Sequence, residues 1–362
     1  MRVLEGPSWL ESRSCTIVVA GAERWGDYLA EQLFSAPATS KSAGRVPLWS
    51  LPRILKDMGR SADAVVARVD RLSAGTLFGH GYLHIPEWLD LWLDVPERLD
   101  QLQRGRRSLG SDLRLMEASG LQCEPPESPP NVQRFFDEYY LPYMAQRADK
   151  YTYPRSLDWL QALATDGAVL YVRRNGVRVS GMLVARKGRV LRALAPGTVG
   201  GDPGIRALGG VSAAFYATVL HAHSQGCTTV GWGGARPLLT DGTLRFKAKW
   251  STRVSDQSDS GYTFVLRWPR FDLAALATLQ KAPLILRDGP GFTVLGSLTT
   301  STPANGDDAR HAWRQVSAPG LQRGVLVSAA GWQAGTTAPP GVRLMDAETF
   351  ELASIRGGRL EA

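Results

Sequence analysis

The sequence contains few residues that could form disulfides or bind metals. Cysteine occurs three times in 362 residues, at Cys15, Cys123 and Cys227, and this odd number at wide spacing fits neither a disulfide framework nor a zinc site. Histidine occurs five times. His221 and His223 are two residues apart, so they would not share one face of a helix. We therefore expect no metal site and a reducing, cytoplasmic environment.

Long apolar runs and several common catalytic motifs are also absent. No hydrophobic run approaches the length of a membrane span, and residues 1–14 lack the apolar region of a secretory signal. We expect a cytoplasmic protein without a membrane span. The sequence has no G-x-S-x-G nucleophile motif and no Walker A motif, which argues against a hydrolase of that type and against a P-loop kinase.

The overall composition is that of a globular protein with an excess of basic residues. Hydrophobic residues make up 44% and charged residues 21%, and the formal net charge is +8. A positive charge favours phosphate-rich partners such as coenzyme A, nucleotides or tRNA. The alternative is an arginine-rich composition with no nucleic-acid role, since no block of five like charges occurs.

The most informative stretch covers residues 168–250. Val- and Leu-rich segments separated by Asn175-Gly176 and by Lys187-Gly188 predict three antiparallel strands joined by tight turns. Residues 197–204 are too rich in glycine for a regular element and predict a loop. From Gly209 onward apolar residues recur at helical spacing, and residues 228–232 return to a strand pattern. The predicted order is strand, strand, strand, loop, helix, strand.

Three short motifs in this stretch resemble those of the GNAT acyltransferase superfamily, in particular its Fem-type and cellulose-biosynthesis-type branches. They are the helix end A-x-x-x-G at residues 222–226, the strand end G-W-G at residues 231–233, and D-G-x-x-x-F-K-x-x-W at residues 241–250. Ser251 stands where those branches place a final glycine. The resemblance covers about residues 99–254. It implies an α/β (α+β) fold with a mixed, mostly antiparallel sheet flanked by helices, and accessory α/β segments at both ends.

The resemblance also implies an activity. We expect an N-acyltransferase that moves an acyl group from acyl-coenzyme A to the amine of a small molecule or peptide, with no tightly bound cofactor. One alternative is a Fem-like transferase that uses aminoacyl-tRNA as co-substrate and so has tRNA as a partner. The other is a catalytically degenerate scaffold that binds a partner.

Lys247 and Asp241 are the expected catalytic residues. The lysine stands in the F-K motif, where the resemblance implies that it polarises a carbonyl or neutralises a phosphate. Its alternative is a surface lysine with a buried stem. Asp241 precedes a glycine and a basic helix, so it could act as a base, an anchor for the substrate amine or a helix cap, and capping is the favoured reading.

The donor phosphates are expected at the glycine-rich turn before the predicted helix. The superfamily pattern (R/Q)-x-x-G-x-(G/A) is matched at Arg206 and Gly209, whereas its last position is Val211. Backbone N–H groups at a helix start favour phosphate, so Gly210 and Ser212 complete the predicted cofactor-binding set. A connection that serves only as a turn is the alternative.

The expected substrate-binding residues are Arg147, Tyr151, Trp232 and Gly233. The first two follow an aromatic helix that, in the resembling families, lines the acceptor groove.

The chain is expected to divide into residues 1–95, an acyltransferase core at 96–268 and a C-terminal appendage at 269–362. A helix is predicted to begin at Asp94-Val-Pro-Glu97 and to carry a basic face listed as Arg104, Arg106, Arg107 and Arg114. Residues 262–268 are predicted to form the last strand of the core. Strand and helix patterns at both ends of the chain could form one accessory domain.

Overall fold

A computed structural model describes residues 1–10, 13–21, 23–79, 81–104, 106–147, 154–256, 261–289, 291–318, 320–350, 355–356 and 359–360. Tyr151 lies outside this described part, so its predicted role remains a prediction. The chain forms two compact units. The first consists of Met1–Leu89, Ala235–Arg245 and Ser255–Ala362, and the second of Asp90–Gly234 and Phe246–Val254.

The strands, in chain order, are β1 Arg2–Pro7, β2 Ser14–Ala20, β3 Thr39–Ser42, β4 Ala64–Asp70, β5 Leu83–Pro86, β6 Leu89–Asp94, β7 Leu121–Cys123, β8 Gly167–Arg174, β9 Val177–Lys187, β10 Val190–Thr198, β11 Thr229–Ala235, β12 Arg253–Asp256, β13 Tyr262–Arg267, β14 Leu284–Asp288, β15 Gly291–Leu298, β16 Gly324–Ser328, β17 Val342–Asp346, β18 Ile355–Arg356 and β19 Arg359–Leu360.

The α-helices are α1 Glu23–Glu31, α2 Leu51–Met58, α3 Arg71–Leu77, α4 Arg107–Ala118, α5 Val132–Phe135, α6 Leu141–Gln146, α7 Leu157–Leu163, α8 Pro203–Ala207, α9 Gly210–Ser224, α10 Gly242–Lys249, α11 Leu273–Lys281 and α12 Gly306–Val316. Short 3-10 helices precede α2, α4 and α8, and a π-helical turn, Phe136–Tyr140, joins α5 to α6. No helix in the described ranges combines the length and the apolar character needed to cross a bilayer.

The second unit is built on a mixed sheet with the strand order β12-β6-β11-β10-β9-β8-β7. Strands β7 to β10 are antiparallel neighbours, whereas β10 and β11 are parallel. Tight turns close the two hairpins at Asn175 (φ 51°) and Gly176 (φ 80°) and at Gly188 (φ 60°), as the sequence predicts. The mixed, mostly antiparallel sheet flanked by helices is thereby confirmed. The loop predicted at residues 197–204 is wrong in detail, because β10 continues to Thr198, Val199–Gly201 form a 3-10 helix and α8 begins at Pro203.

Helices cover both faces of this sheet. Helix α9 packs against β7 to β10 on one face. On the other face, Phe135 and Tyr139 join Tyr171, Leu183 and Ala195 of the sheet in one buried cluster. Successive residues of each strand therefore pack against the helices on opposite faces of the sheet. The aromatic residues of 135–143 are mainly core, which is the reading that helical spacing favours.

The first unit contains a six-stranded sheet, β3-β1-β2-β4-β13-β5, and a four-stranded sheet, β14-β15-β16-β17. Ile17 near one end of the chain and Val327 near the other belong to the same hydrophobic core cluster. The two ends of the chain therefore form one unit. The predicted boundaries at 95/96 and 268/269 remain predictions about separate folding domains.

Two expectations about this organisation are wrong. Residues 262–268 do not join the sheet of the second unit, because β13 pairs with β4 and β5 in the sheet of the first unit. No helix begins at Asp94, which ends β6 instead and accepts a hydrogen bond from the hydroxyl of Thr252 at 2.7 Å. The helix starts only at Arg107, because residues 99–103 form a separate 3-10 turn.

Candidate active site

The central feature of the second unit is the place where β10 and β11 part. Residues 190–192 pair in parallel with residues 229–231, but β10 continues to Thr198 and β11 to Ala235. A shift in register between Ala193 and Ala195 turns β10 at this point. Beyond residues 192 and 231, the described residues of the two strands do not pair with each other.

Lys247 lies at the parted end of β11. Its ammonium group donates a hydrogen bond to the carbonyl oxygen of Gly234 at 2.8 Å. Gly233 has φ of 71°, a conformation that favours glycine, and a Cβ at this position would lie 3.9 Å from the Lys247 Nζ. The structure therefore brings the predicted residues Lys247 and Gly233 together and places a cation beside the opened strand.

An aromatic cluster fixes helix α10, which carries Lys247. The rings of Phe215 and Trp232 stack at 4.6 Å, and Phe246 meets Phe215 edge-on at 5.0 Å. The indole N–H of Trp232 donates to the carbonyl of Trp250 at 3.1 Å. The side chain of Trp232 is 2% exposed, so any contact with substrate there would come from its backbone.

The C-terminal end of α10 is closed by Ser251, the residue that departs from the family pattern. Its hydroxyl donates to the carbonyl oxygen of Lys247 at 2.8 Å, and Ser251 is fully buried. A serine can therefore complete the turn that a glycine would otherwise make. This departure does not disturb the helix that positions Lys247.

Asp241 caps the N-terminus of α10. Its Oδ1 accepts hydrogen bonds from the backbone N–H groups of Thr243 at 2.8 Å and Leu244 at 2.9 Å. Its Oδ2 accepts one from the hydroxyl of Tyr28 at 2.8 Å. The favoured reading of Asp241 as a helix cap is confirmed, while its catalytic role remains a prediction.

Tyr28, like Asp241 a residue of the first unit, is the partner of Asp241 that sequence reasoning missed. The guanidinium of Arg236 lies 3.8 Å from the centre of its ring. Burial raises the pKa of the Tyr28 hydroxyl, and the negative charge of Asp241 raises it further. The phenol is therefore neutral and remains a hydrogen-bond donor to Asp241. Tyr28 precedes Asp241 by 213 residues, and no local pattern connects the two positions.

The glycine-rich turn before α9 is shaped largely by packing. A Cβ on Gly210 would lie 2.5 Å from the side chain of Ile205, closer than packed atoms approach. Gly209 has φ of 89° and forms the N-cap of α9. Arg206 lies in α8 with its side chain exposed. Both glycines thus have a structural reason to be present, independent of any phosphate.

A carboxylate of the chain itself lies at the N-terminus of α9. The hydroxyl of Ser212 donates to Asp112 of α4 at 3.3 Å, and the Lys249 ammonium group lies 3.1 Å from the same oxygen. A phosphate bound at this helix end would meet the negative charge of Asp112. Asp112 precedes Ser212 by 100 residues, so the sequence motif gave no sign of it.

Arg147 follows the helix that covers the end of β10. Its guanidinium donates to the hydroxyl of Tyr143 at 2.8 Å, and its side chain is exposed. A Cβ on Gly201, just beyond β10, would lie 2.5 Å from the carbonyl oxygen of Pro142 in α6. Arg147 is therefore attached to the layer that packs on the parted strand, and its contact with substrate remains a prediction.

Comparisons with known proteins give similarity in fold only. No protein-family model matches the chain, and no curated protein matches it. Among solved structures it is similar to FemX, with 13% identity over 73% of this chain and 83% of that chain at a TM-score of 0.39. It is also similar to the C-terminal domain of a putative lysylphosphatidylglycerol synthetase from Agrobacterium fabrum, with 13% identity, 76% and 83% coverage and a TM-score of 0.36.

A GCN5-related N-acetyltransferase from Kribbella flavida is similar at 19% identity, with 63% of this chain and 77% of that chain covered and a TM-score of 0.26. Identities and TM-scores at this level assign neither a donor nor an acceptor to this chain. Among the described residues, no group of three or more His, Cys, Asp or Glu side chains could hold a metal ion.

Proposed function

We propose that the protein is an N-acyltransferase that moves an acyl group from an activated donor to an amine, and that the reaction takes place where β10 and β11 part. The observation that carries the proposal is the Lys247 ammonium group, held 2.8 Å from the carbonyl oxygen of Gly234 at this opening. This hydrogen bond fixes a cation beside the parted strands, and a fixed cation is one kind of group that stabilises a developing oxyanion.

The reaction requires little covalent chemistry from the protein. A neutral amine attacks the carbonyl carbon of a thioester or ester, a C–N bond forms and the carbonyl oxygen gains negative charge. The C–S or C–O bond then breaks as the tetrahedral intermediate collapses, and the proton lost by the attacking nitrogen balances the one taken up by the leaving thiol or hydroxyl. In this proposal Lys247 balances the charge on that oxygen. Asp241 acts as a positioning residue, since three hydrogen bonds already occupy its oxygens.

Acyl-coenzyme A is the first candidate donor, because Arg206 and Gly209 match the phosphate-loop pattern in sequence. The second candidate is aminoacyl-tRNA, and one observation favours it. Asp112 places a carboxylate next to Ser212 at the N-terminus of α9, where a pyrophosphate would otherwise bind. A donor whose phosphates lie elsewhere would not meet this charge.

A direct assay of acyl transfer tests the proposal. The wild-type protein is incubated with a panel of acyl-coenzyme A thioesters, and separately with aminoacylated tRNA, each in the presence of small-molecule and peptide amines. Thiol release, loss of the aminoacyl ester and mass spectrometry of the amines report the reaction. Amide formation from either donor supports the proposal and identifies the donor class. Binding of a donor without transfer to any amine would contradict it and favour the non-catalytic scaffold.

A further inference from the structure

The first unit presents an exposed tryptophan on a basic surface that the proposed reaction does not use. Trp49 is 80% exposed, the largest exposed fraction among the large hydrophobic residues of the described part, and its neighbour Leu48 is 39% exposed. Both lie in the 3-10 turn Leu48–Ser50, which leads directly into α2. A tryptophan exposed to this degree adds little to the core, and leaving its apolar ring in contact with water is unfavourable.

Basic residues follow Trp49 closely in the chain. Arg53 and Lys56 are three residues apart in α2 and so lie along one face of that helix, and Arg60 follows the helix end. All three are exposed, while Leu51 and Leu55 on the opposite face are buried in the core.

The charge of this segment is strongly positive. Residues 41–60 contain five basic residues and one acidic residue, a net charge of +4. Arg60 pairs with Asp57 at 3.6 Å and Lys41 with Glu5 at 3.4 Å. In the described ranges Arg45, Arg53 and Lys56 have no carboxylate within 4 Å.

A second apolar side chain extends the surface. Leu72 of α3 is 78% exposed. Ala74 of the same helix is buried in the cluster that also holds Leu51 and Leu55 of α2. Helices α2 and α3 therefore cover the same core, and apolar side chains are exposed in the turn before α2 and in α3.

We propose that this surface, defined by Leu48, Trp49, Arg53, Lys56 and Leu72, binds the face of an anionic phospholipid bilayer. Tryptophan is favoured at the boundary between headgroups and acyl chains, where leucine side chains can also bury apolar area. Arginine and lysine on the same side pair with anionic headgroups. Nucleic acid would satisfy the charges and stack on Trp49, but it would leave the two leucines in water, so the lipid surface fits more of the patch.

The test is co-sedimentation of the full chain with vesicles at about 0.1 M salt, where surface charges still act over about 10 Å. Vesicles of phosphatidylcholine are compared with vesicles of phosphatidylcholine and phosphatidylglycerol at three to one. We expect the wild type to bind the anionic vesicles at least tenfold more tightly. Trp49→Ser should weaken that binding about tenfold. The double change Arg53→Gln and Lys56→Gln should weaken it about 25-fold, since each basic residue near such a surface contributes about fivefold.

Trp159→Ser is the matched control, because Trp159 is also exposed, at 39%, but lies in α7 of the second unit. It should bind vesicles like the wild type. Thermal unfolding of each variant confirms that the fold is kept. Equal binding to the two vesicle types, or an unchanged Trp49→Ser variant, would overturn the proposal. Binding of tRNA that is lost in the Arg53→Gln and Lys56→Gln protein, with no vesicle binding by the wild type, would overturn it in favour of a nucleic-acid surface. None of these outcomes depends on acyl transfer.

Discussion

At the level of single residues, Asp112 determines the electrostatics at the N-terminus of α9. Helix N-termini attract anions because their first backbone N–H groups lack partners within the helix. Here the carboxylate of Asp112 contacts Ser212 in the first turn and is held by Lys249. This helix end is therefore occupied by an ion pair of the chain itself, and a donor phosphate would have to displace the carboxylate to bind there.

We predict that Asp112→Asn increases the affinity for coenzyme A by about tenfold, since it removes one like charge from a phosphate site close to the surface. Isothermal titration of coenzyme A into both proteins measures the change. Asp158→Asn, which alters an exposed acid in the first turn of α7, is the control and should leave the affinity unchanged. Equal or weaker binding by Asp112→Asn would show that phosphates do not approach this helix end.

Tyr28 is the second residue whose role follows from contact geometry. Its hydroxyl supports the carboxylate that caps α10. Tyr28→Phe should lower the free energy of unfolding by about 1 kcal/mol, because the change removes a partly buried hydrogen bond to a charged group. Urea denaturation measures this value. Tyr216→Phe, which removes a hydroxyl that bonds to no described residue, should change it by much less, and equal losses would argue against a supporting role for Tyr28.

At the level of elements, the start of α9 depends on a left-handed residue. Gly209 has φ of 89° and serves as the N-cap, with no side chain that accepts a hydrogen bond. The sequence pattern predicts that this glycine allows a phosphate to approach, with a turn as the alternative. The positive φ changes this expectation, since any side chain there is strained.

Gly209→Ala should therefore lower the free energy of unfolding by about 1–2 kcal/mol, the usual cost of a left-handed conformation for a residue with a Cβ. Gly242→Ala is the matched control. A Cβ on Gly242, the first residue of α10, meets nothing within 4 Å, so this variant should be as stable as the wild type or slightly more stable. A Gly209→Ala protein of wild-type stability with weakened donor binding would instead show that this glycine serves the approach of a donor phosphate.

The elements that could be predicted from sequence are those specified by local signals. Strands β8 to β10 are marked by their turn residues Asn175 and Gly188, and α9 by its apolar spacing. Strand β6 was missed, because Asp94-Val-Pro-Glu97 matches a helix start although residues 89–94 alternate between apolar and polar residues. Strand β13 was assigned to the wrong sheet, since its partner β4 lies some 190 residues earlier and pairing at that distance leaves no local pattern.

The candidate site also contains some residues that local sequence signals indicate and others that only the fold identifies. Lys247 and Gly233 lie within short motifs, and the structure brings them to the same strand end. Tyr28 contacts Asp241 within the first unit and Asp112 contacts Ser212 within the second, across 213 and 100 residues of sequence. Neither has a signal in its own neighbourhood that distinguishes it from an ordinary surface residue, so only the fold could identify them.

At the level of the whole molecule, the positive charge bears on the choice of donor. Three of the four arginines predicted to form a basic face, Arg104, Arg107 and Arg114, are exposed, whereas Arg106 is partly buried. Burial lowers the pKa of Arg106, and its charge is less accessible than the other three. Exposed arginines of this kind release counterions when they bind a nucleic acid.

If the donor is aminoacyl-tRNA, its affinity should fall by on the order of a hundredfold between about 50 and 200 mM salt, as four phosphate contacts would require. Coenzyme A has few phosphates, so its affinity should fall far less over the same range. Filter binding of tRNA and titration of coenzyme A across this series compare the two. Tight coenzyme A binding together with weak, salt-independent tRNA binding would exclude the Fem-like alternative.

Lys247, at the parted end of β11, is the residue on which the proposed acyl transfer depends most. The measurement that tests it most directly is the single-turnover rate of acyl transfer from whichever donor the wild type uses, compared between Lys247→Met and Arg245→Ala. The second variant changes an exposed residue of the same helix. We predict a rate about 100-fold to 1,000-fold lower for Lys247→Met, the usual effect of losing one oxyanion-stabilising donor, and a wild-type rate for Arg245→Ala. A folded Lys247→Met protein that transfers at the wild-type rate would contradict the account.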